Sequence, residues 1–124
     1  MRIYNFSKEL GKNIQAFNSN NLFMTRILKD SDHTYVGCMH IEENGEVGLH
    51  QATIPQLLLI VNGEGWVKGN ERIEYRIQTG YAVFWEAEEW HETRTDKGLT
   101  AIIIESKSMN LDMKEEEWNS IQED

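Results

Sequence analysis

Three polar side chains, His50, Gln56 and His91, have types that can do chemistry together if the fold brings them to one pocket. Neutral imidazole nitrogens are ligands for Fe, Mn, Ni and Zn, whereas an amide offers only an uncharged carbonyl oxygen. Without a metal, buried imidazole and amide groups need hydrogen-bond partners and can satisfy one another. If the fold brings them to one pocket, the three residues therefore predict a polar floor that orients a small ligand.

Other polar residues are weaker candidates for the site. His40 lies on the strand that we predict before His50. It could be a substitute ligand at the site, but we prefer to interpret it as an ordinary strand residue. Glu86, Glu88 and Glu89 precede the second histidine. They could supply a carboxylate or a desolvated general base at the mouth of the pocket, but we prefer to interpret them as a solvated acidic loop because glutamate is seldom buried.

Composition limits the classes of protein to which this chain can belong. Its 124 residues suit one domain, 1–124. The 21 acidic and 12 basic residues give a net charge of -9, which disfavours nucleic acid and anionic membranes as partners. Cys38 is the single cysteine, which is typical of a reducing compartment. The N-terminus lacks the apolar segment of a signal peptide, and no apolar run is long enough to span a bilayer. We expect a cytoplasmic protein.

Short segments rich in β-branched and aromatic residues alternate with turn signals and predict an all-β sandwich or barrel. Turns are expected at residues 42–45, where Asn-Gly is a strong hairpin signal, and at residues 63–65. The segment 108–124 differs, because Asn110 can cap a short helix over residues 111–122. We therefore expect a helical or flexible tail. The predicted strands cover residues 22–28, 34–41, 56–62, 66–68, 73–77, 81–85, 92–95 and 99–105.

The stretch 44–63 resembles the first motif of the cupin family, a small jelly-roll barrel. That motif is a glycine, five residues, His-x-His, three or four residues, a glutamate, six residues and a glycine. His50, Gln56 and Gly63 fall in its register, with glutamine in place of glutamate. The second histidine position is Ala52.

The stretch 80–95 resembles the second cupin motif, which is a glycine, five residues, Pro-x-Gly, two residues, a histidine, three residues and an asparagine. Gly80 and His91 match it in register. The resemblance covers residues 44–95 and implies an all-β cupin jelly-roll barrel with a short C-terminal helix or tail. The motif's proline, second glycine and asparagine are replaced by Glu86, Glu88 and Thr95.

The resemblance implies a function in the barrel interior. In cupins the motif histidines and glutamate bind a divalent metal. Carried over here, this gives His50 and His91 as candidate ligands and Gln56 as a weak third, while Ala52 brings no donor atom. The preferred hypothesis is a small-molecule-binding cupin without a tightly held metal. The alternatives are a metal-dependent enzyme, dioxygenase-like or isomerase-like, with Fe, Mn, Ni or Zn, and a structural dimer with a vestigial pocket.

Aromatic residues in or beside both motifs predict the apolar walls of the pocket. We expect Trp66, Phe84 and Trp90 to line it above the polar floor. Phe84 and Trp85 are adjacent, so one points inward and the other points away. An outward tryptophan on a small domain indicates an interface, and single-domain cupins are often dimers, so we expect a homodimer.

Overall fold

The computed structural model describes residues 4–5, 7–29 and 33–122. These residues form eight antiparallel strands and three 3₁₀ turns, at Lys8–Leu10, Ala16–Asn18 and Trp118–Ile121. The all-β prediction is therefore confirmed. The strands are β1 Lys12–Asn13, β2 Asn20–Lys29, β3 Thr34–Gln51, β4 Gln56–Lys68, β5 Tyr75–Gln78, β6 Ala82–Trp85, β7 Trp90–Arg94 and β8 Leu99–Ser106.

Two long strands, β3 and β4, join the two sheets of the jelly-roll barrel. Up to Ile41, β3 pairs with β2 and β8, and from Glu46 onward it pairs with β7. Strand β4 first pairs with β6 and β8, and then with β5 and β7. Each long strand thus belongs to one sheet in its first half and to the other in its second half.

The turns predicted at residues 42–45 and 63–65 are wrong, because the chain bends there without leaving the ladder. Asn44 has a left-handed φ of 59° and donates its N–H to the Asp96 carbonyl at 3.0 Å. Gly63 has a φ of 95° beside a register shift between β4 and β8. The signals that normally end a strand mark barrel corners here, where a strand changes sheets.

Inward side chains of both sheets form one apolar core. Leu58 and Ala101 are fully buried at its centre, on β4 and β8. Leu57 on the opposite face of β4 is 94% buried as well, so this strand is covered on both sides. The core contains Leu22, Met39, Ile41, Leu58, Ile60, Val67, Ile77, Val83, Trp85, Leu99, Ala101 and Ile103.

Of the two forms expected for the C-terminal segment, a helix and a tail, the structure shows a tail, and its only helical part among the described residues is a 3₁₀ turn. The described part of the tail is irregular up to the 3₁₀ turn Trp118–Ile121, and residues 123–124 lie outside the described part. A helix there would lack apolar residues for a full turn, because Lys114 and three glutamates follow Met113. Instead the tail docks on β5, where the Trp118 ring stacks on Tyr75 with 5.0 Å between ring centroids.

The described residues contain no helix with the length and apolar character that a membrane crossing requires.

Candidate functional site

His50 and His91 are direct cross-strand neighbours on β3 and β7. Paired residues of an antiparallel ladder project to the same side, so the two imidazoles meet. Their ring centroids are 4.2 Å apart, and the rings are tilted by 59°. His91 is only 3% exposed, and His50 is partly buried. The two histidines that the sequence singles out are therefore brought together.

A backbone hydrogen bond fixes the tautomer of His50. Its Nδ1 lies 2.8 Å from the Gly48 carbonyl oxygen, and a carbonyl can only accept. In the neutral ring Nδ1 therefore carries the proton, and Nε2 keeps a lone pair. His91 Nδ1 has a longer contact, 3.5 Å, to the Glu89 carbonyl, which favours the same tautomer.

His91 is neutral at physiological pH. Burial lowers its pKa from the usual 6.5 to about 4, and the nearby His50 adds to the effect. Desolvation disfavours the charged imidazolium, and a second positive ring beside it would raise that cost further. His91 is thus uncharged at pH 7, and in the neutral form of each ring Nε2 is a hydrogen-bond acceptor.

Two further rings complete a row of four across the site. Phe17 lies nearly parallel to His50, with centroids 3.9 Å apart and 5° between the planes. At the other end, the ring centroids of Trp85 and His91 are 4.8 Å apart. Trp85 is 3% exposed, and its indole N–H donates to the Lys68 carbonyl at 3.0 Å. The aromatic contacts of the histidines therefore come from Phe17 and Trp85.

The three predicted wall residues lie elsewhere. Trp66 pairs with Arg94 on β7, and the Arg94 guanidinium lies over its ring at 4.1 Å. Trp90 is 37% exposed, with Arg72 over its ring at 5.2 Å. Successive strand residues point to opposite faces, so both tryptophan side chains point away from the face on which their buried neighbours lie.

Phe84 also points away from the histidines. It pairs with Leu57 and lines a groove of about 750 Å³ between the outer face of β4 and β6 and the C-terminal segment. Met113 and Trp118 line the same groove from the tail side. The prediction that only one of residues 84 and 85 points inward is confirmed, but the inward one is Trp85.

Gln56 shares the inner face with the site. It is 8% exposed, and on β4 its register partners are Trp85 on β6 and Glu105 on β8. It is thus one strand away from the indole that contacts His91.

Glu105 is a site residue that the sequence analysis missed. Along β8 the residues Leu99, Ala101 and Ile103 are buried in alternation, and the same period places Glu105 on the inner face. Burial raises the pKa of the carboxyl group, while the positive charge of Arg26 opposes the increase. The alternation along β8 was the signal that could have identified it.

Phe17 was also missed. It lies in a region with no clear strand or helix pattern, and its backbone adopts a left-handed φ of 59°. A Cβ atom at Gly48 would overlap the carbonyl oxygen of Phe17, so glycine at that position permits the close approach. No sequence signal links residues 17 and 50, because their contact depends on the tertiary path of the chain.

The donor set does not match the family's metal site. Ala52 is buried and supplies no ligand atom. Within the described ranges, no three His, Cys, Asp or Glu side chains are grouped so that they could hold one ion. His40 alternates with the core residues Met39 and Ile41 and so faces the other way. The histidine pair itself therefore offers two donor groups, its two imidazoles.

Comparison with solved structures identifies the architecture. A protein described as a predicted oxalate decarboxylase from Thermotoga maritima superposes with a TM-score of 0.70 at 17% identity, over 82% of this chain and 96% of its own. An RmlC-like cupin from Shewanella frigidimarina gives 0.67 at 17% identity, over 86% and 93%. This chain has the cupin fold. The polyketide cyclase RemF from Streptomyces resistomycificus shares the cupin-like barrel of this chain at a TM-score of 0.71 and 10% identity, over 86% and 81%.

The cupin architecture is shared at low sequence identity. No protein-family model matches the sequence, and no curated protein matches it. The likeness to the solved cupins therefore establishes the fold, and the chemistry has to be inferred from the site.

Proposed function

We propose that this cupin barrel binds a small organic molecule at the His50–His91 pair without a tightly held metal. The observation that carries the proposal is the facing of two imidazoles, 4.2 Å apart, in a largely buried and aromatic environment in which His91 is neutral. An apolar site with a few convergent polar groups is the usual form of a small-molecule site. Gln56 and Glu105 add polar groups on the same inner face.

The chemistry of the pair specifies what the ligand should offer. With Nδ1 of His50 donating to Gly48, its Nε2 is a hydrogen-bond acceptor. We infer the same state for His91, whose pKa is too low for a second proton at pH 7. A ligand that carries hydroxyl or N–H donors would satisfy these nitrogens, whereas a purely acceptor ligand would leave them unpaired.

Fragment binding tests this proposal. A set of small hydroxyl, amine and carbonyl compounds would be screened by saturation-transfer NMR against the wild type, His50→Ala and His91→Ala, with the exposed His33→Ala as the control. We expect hydroxyl and N–H fragments to bind the wild type and the control and to lose their signal in both site variants. Equal binding by all four proteins would contradict the proposal.

A metal-dependent enzyme remains the alternative, since it would use the same two imidazoles. Two of the similar structures carry enzyme names, the predicted oxalate decarboxylase and the polyketide cyclase. Elemental mass spectrometry of protein purified without chelator separates the two functions. One transition metal per chain that is lost in a His50→Ala, His91→Ala variant would favour the enzyme.

The homodimer and the cytoplasmic location stay predictions. Light scattering of the purified chain would give its molar mass and test the first. The hypothesis of a structural dimer with a vestigial pocket makes a separate prediction, because it expects no fragment to bind at the histidines at all.

A further inference from the structure

The segment that carries Phe17 is a short loop held at both ends. On one side the Ile14 N–H donates to the Leu22 carbonyl at 2.8 Å. On the other side the Gly48 N–H donates to the Ser19 hydroxyl at 3.1 Å, and Ser19 is 7% exposed. All four residues between these points, 15–18, are exposed. Neither hydrogen bond involves residues 15–18, so a displacement of the Phe17 side chain would break neither of them.

The Phe17 ring lies over His50 with one face only. Its plane is within 5° of the imidazole plane at a centroid distance of 3.9 Å, yet the residue is 56% exposed. The ring therefore lies between the imidazole and water. A ligand that is to contact this face of His50 must first displace Phe17.

The backbone of Phe17 is held in an unfavourable conformation. Phe17 has a φ of 59°, in the left-handed region that is unfavourable for a bulky residue with a Cβ atom. Residues in such conformations cluster at ligand clamps and switch regions. Because Phe17 is more than half exposed, its burial offsets only part of this cost.

We propose that Phe17 is a displaceable cover on His50 and that the natural ligand carries a flat, unsaturated ring that replaces it there. This inference rests on the proposed function, because it names the ligand class of the same site. The parallel stack shows that the face of His50 accepts an aromatic ring at van der Waals distance. A saturated ring is thicker, and it lacks the π-face that a stack requires.

Phenol and cyclohexanol test the proposal, since both carry one hydroxyl donor on a six-membered ring and only phenol is flat. Each would be titrated into the wild type, Phe17→Ala and Phe84→Ala. The last variant is a matched control, because Phe84 lines the groove on the outer face. The readout is the chemical shift of the His50 ring protons, which Phe17 shields in the wild type.

We expect phenol to bind Phe17→Ala about fivefold more tightly than the wild type, which is the worth of one aromatic pair. The affinity for cyclohexanol should increase less in Phe17→Ala, and Phe84→Ala should bind both alcohols as the wild type does. A second variant, Gly48→Ala, should also release the shielding of His50, because its Cβ would overlap the Phe17 carbonyl.

The other outcomes separate this inference from the proposed function. If the affinity of Phe17→Ala increases equally for both alcohols, the preference for flat rings is wrong while the binding site stands. If both alcohols bind and neither affinity increases, Phe17 is not a cover. If neither alcohol moves the His50 or His91 signals in any variant, the proposed function fails together with this inference.

Discussion

His50 and His91 face each other across the β3–β7 ladder, with 4.2 Å between their ring centroids. Two cupin-motif positions are thus retained in space although the rest of the motif's ligand set is replaced. The rings that flank them, Phe17 and Trp85, are stacking partners. The proposed function uses both features, through hydrogen bonds to the imidazoles and stacking on the rings.

The stability of the protein should fall in mild acid because of His91. Its pKa is about 4 in the folded protein and about 6.5 when unfolded, so between these values the unfolded chain binds more protons. The stabilisation is complete above pH 6.5 and is lost as the pH falls toward 4. The shift corresponds to roughly 3 kcal/mol, at about 1.4 kcal/mol per pH unit.

Urea unfolding of the wild type and His91→Gln between pH 7.5 and 4 would measure this loss. The wild type should lose about 3 kcal/mol more than the variant over that range. His33→Gln serves as the control, because His33 is exposed. Parallel pH profiles for the wild type and His91→Gln would contradict the prediction.

Glu105 should have the opposite pH dependence. Burial raises its pKa in the folded protein, so just above pH 4.5 the folded state holds the proton longer than the unfolded chain does. Its contribution therefore decreases as the pH rises. We expect Glu105→Gln to increase the melting temperature more at pH 7.5 than at pH 4, as measured by calorimetry. A larger increase at pH 4 would show that the ionised carboxylate is stabilised, for example by Arg26.

Trp85, and not Trp90, should support the site. Replacing Trp85 by Phe removes the donor to the Lys68 carbonyl and leaves a void beside His91, so we expect a loss of about 1–3 kcal/mol. Trp90→Phe, at a position 37% exposed, should change the free energy of unfolding by less than about 0.5 kcal/mol. Urea unfolding followed by circular dichroism compares the two, and similar losses would be inconsistent with the structure.

The tail should contribute to stability through its last described turn. Gln122 both accepts from the Arg76 N–H and donates to the Arg76 carbonyl, at 2.7 and 3.0 Å, and Trp118 stacks on Tyr75. Trp118→Ala should therefore cost roughly 1–2 kcal/mol. Leu111→Ala is the comparison, at a residue 42% exposed, and should cost much less. Equal effects would indicate that the tail does not dock as described.

The fold was predictable because the glycines and histidines match the spacing of the two cupin motifs, although other motif positions carry different residues. The errors at the two predicted turns have one physical cause. Asn44 and Gly63 adopt the left-handed conformations that a turn would need, but here they bend strands that continue into the second sheet. The Asn and Gly signals mark the positions of these bends, whereas the sheet in which the chain continues depends on distant strands.

The site was predictable only in part. The approach of His50 to His91 follows from the motif register, which the sequence contains. The inward direction of Trp85 does not follow from the sequence. Strand β6 is apolar on both faces, so its pattern does not show which residues point inward. The role of Phe17 could not be predicted for another reason, because its contact joins the N-terminal region to β3, which is distant in the sequence.

The most direct test of the central claim is a long-range ¹H–¹⁵N spectrum of the histidine rings at pH 7. We predict that His91 is neutral, that the neutral form of both rings carries its proton on Nδ1 and not on Nε2, and that phenol moves the two Nε2 signals. Added Zn²⁺ should leave them near their starting positions at equimolar concentration. Two Nε2 signals that already have metal-bound shifts in protein purified without chelator, or that reach them with one equivalent of Zn²⁺, would contradict a ligand site without a tightly held metal.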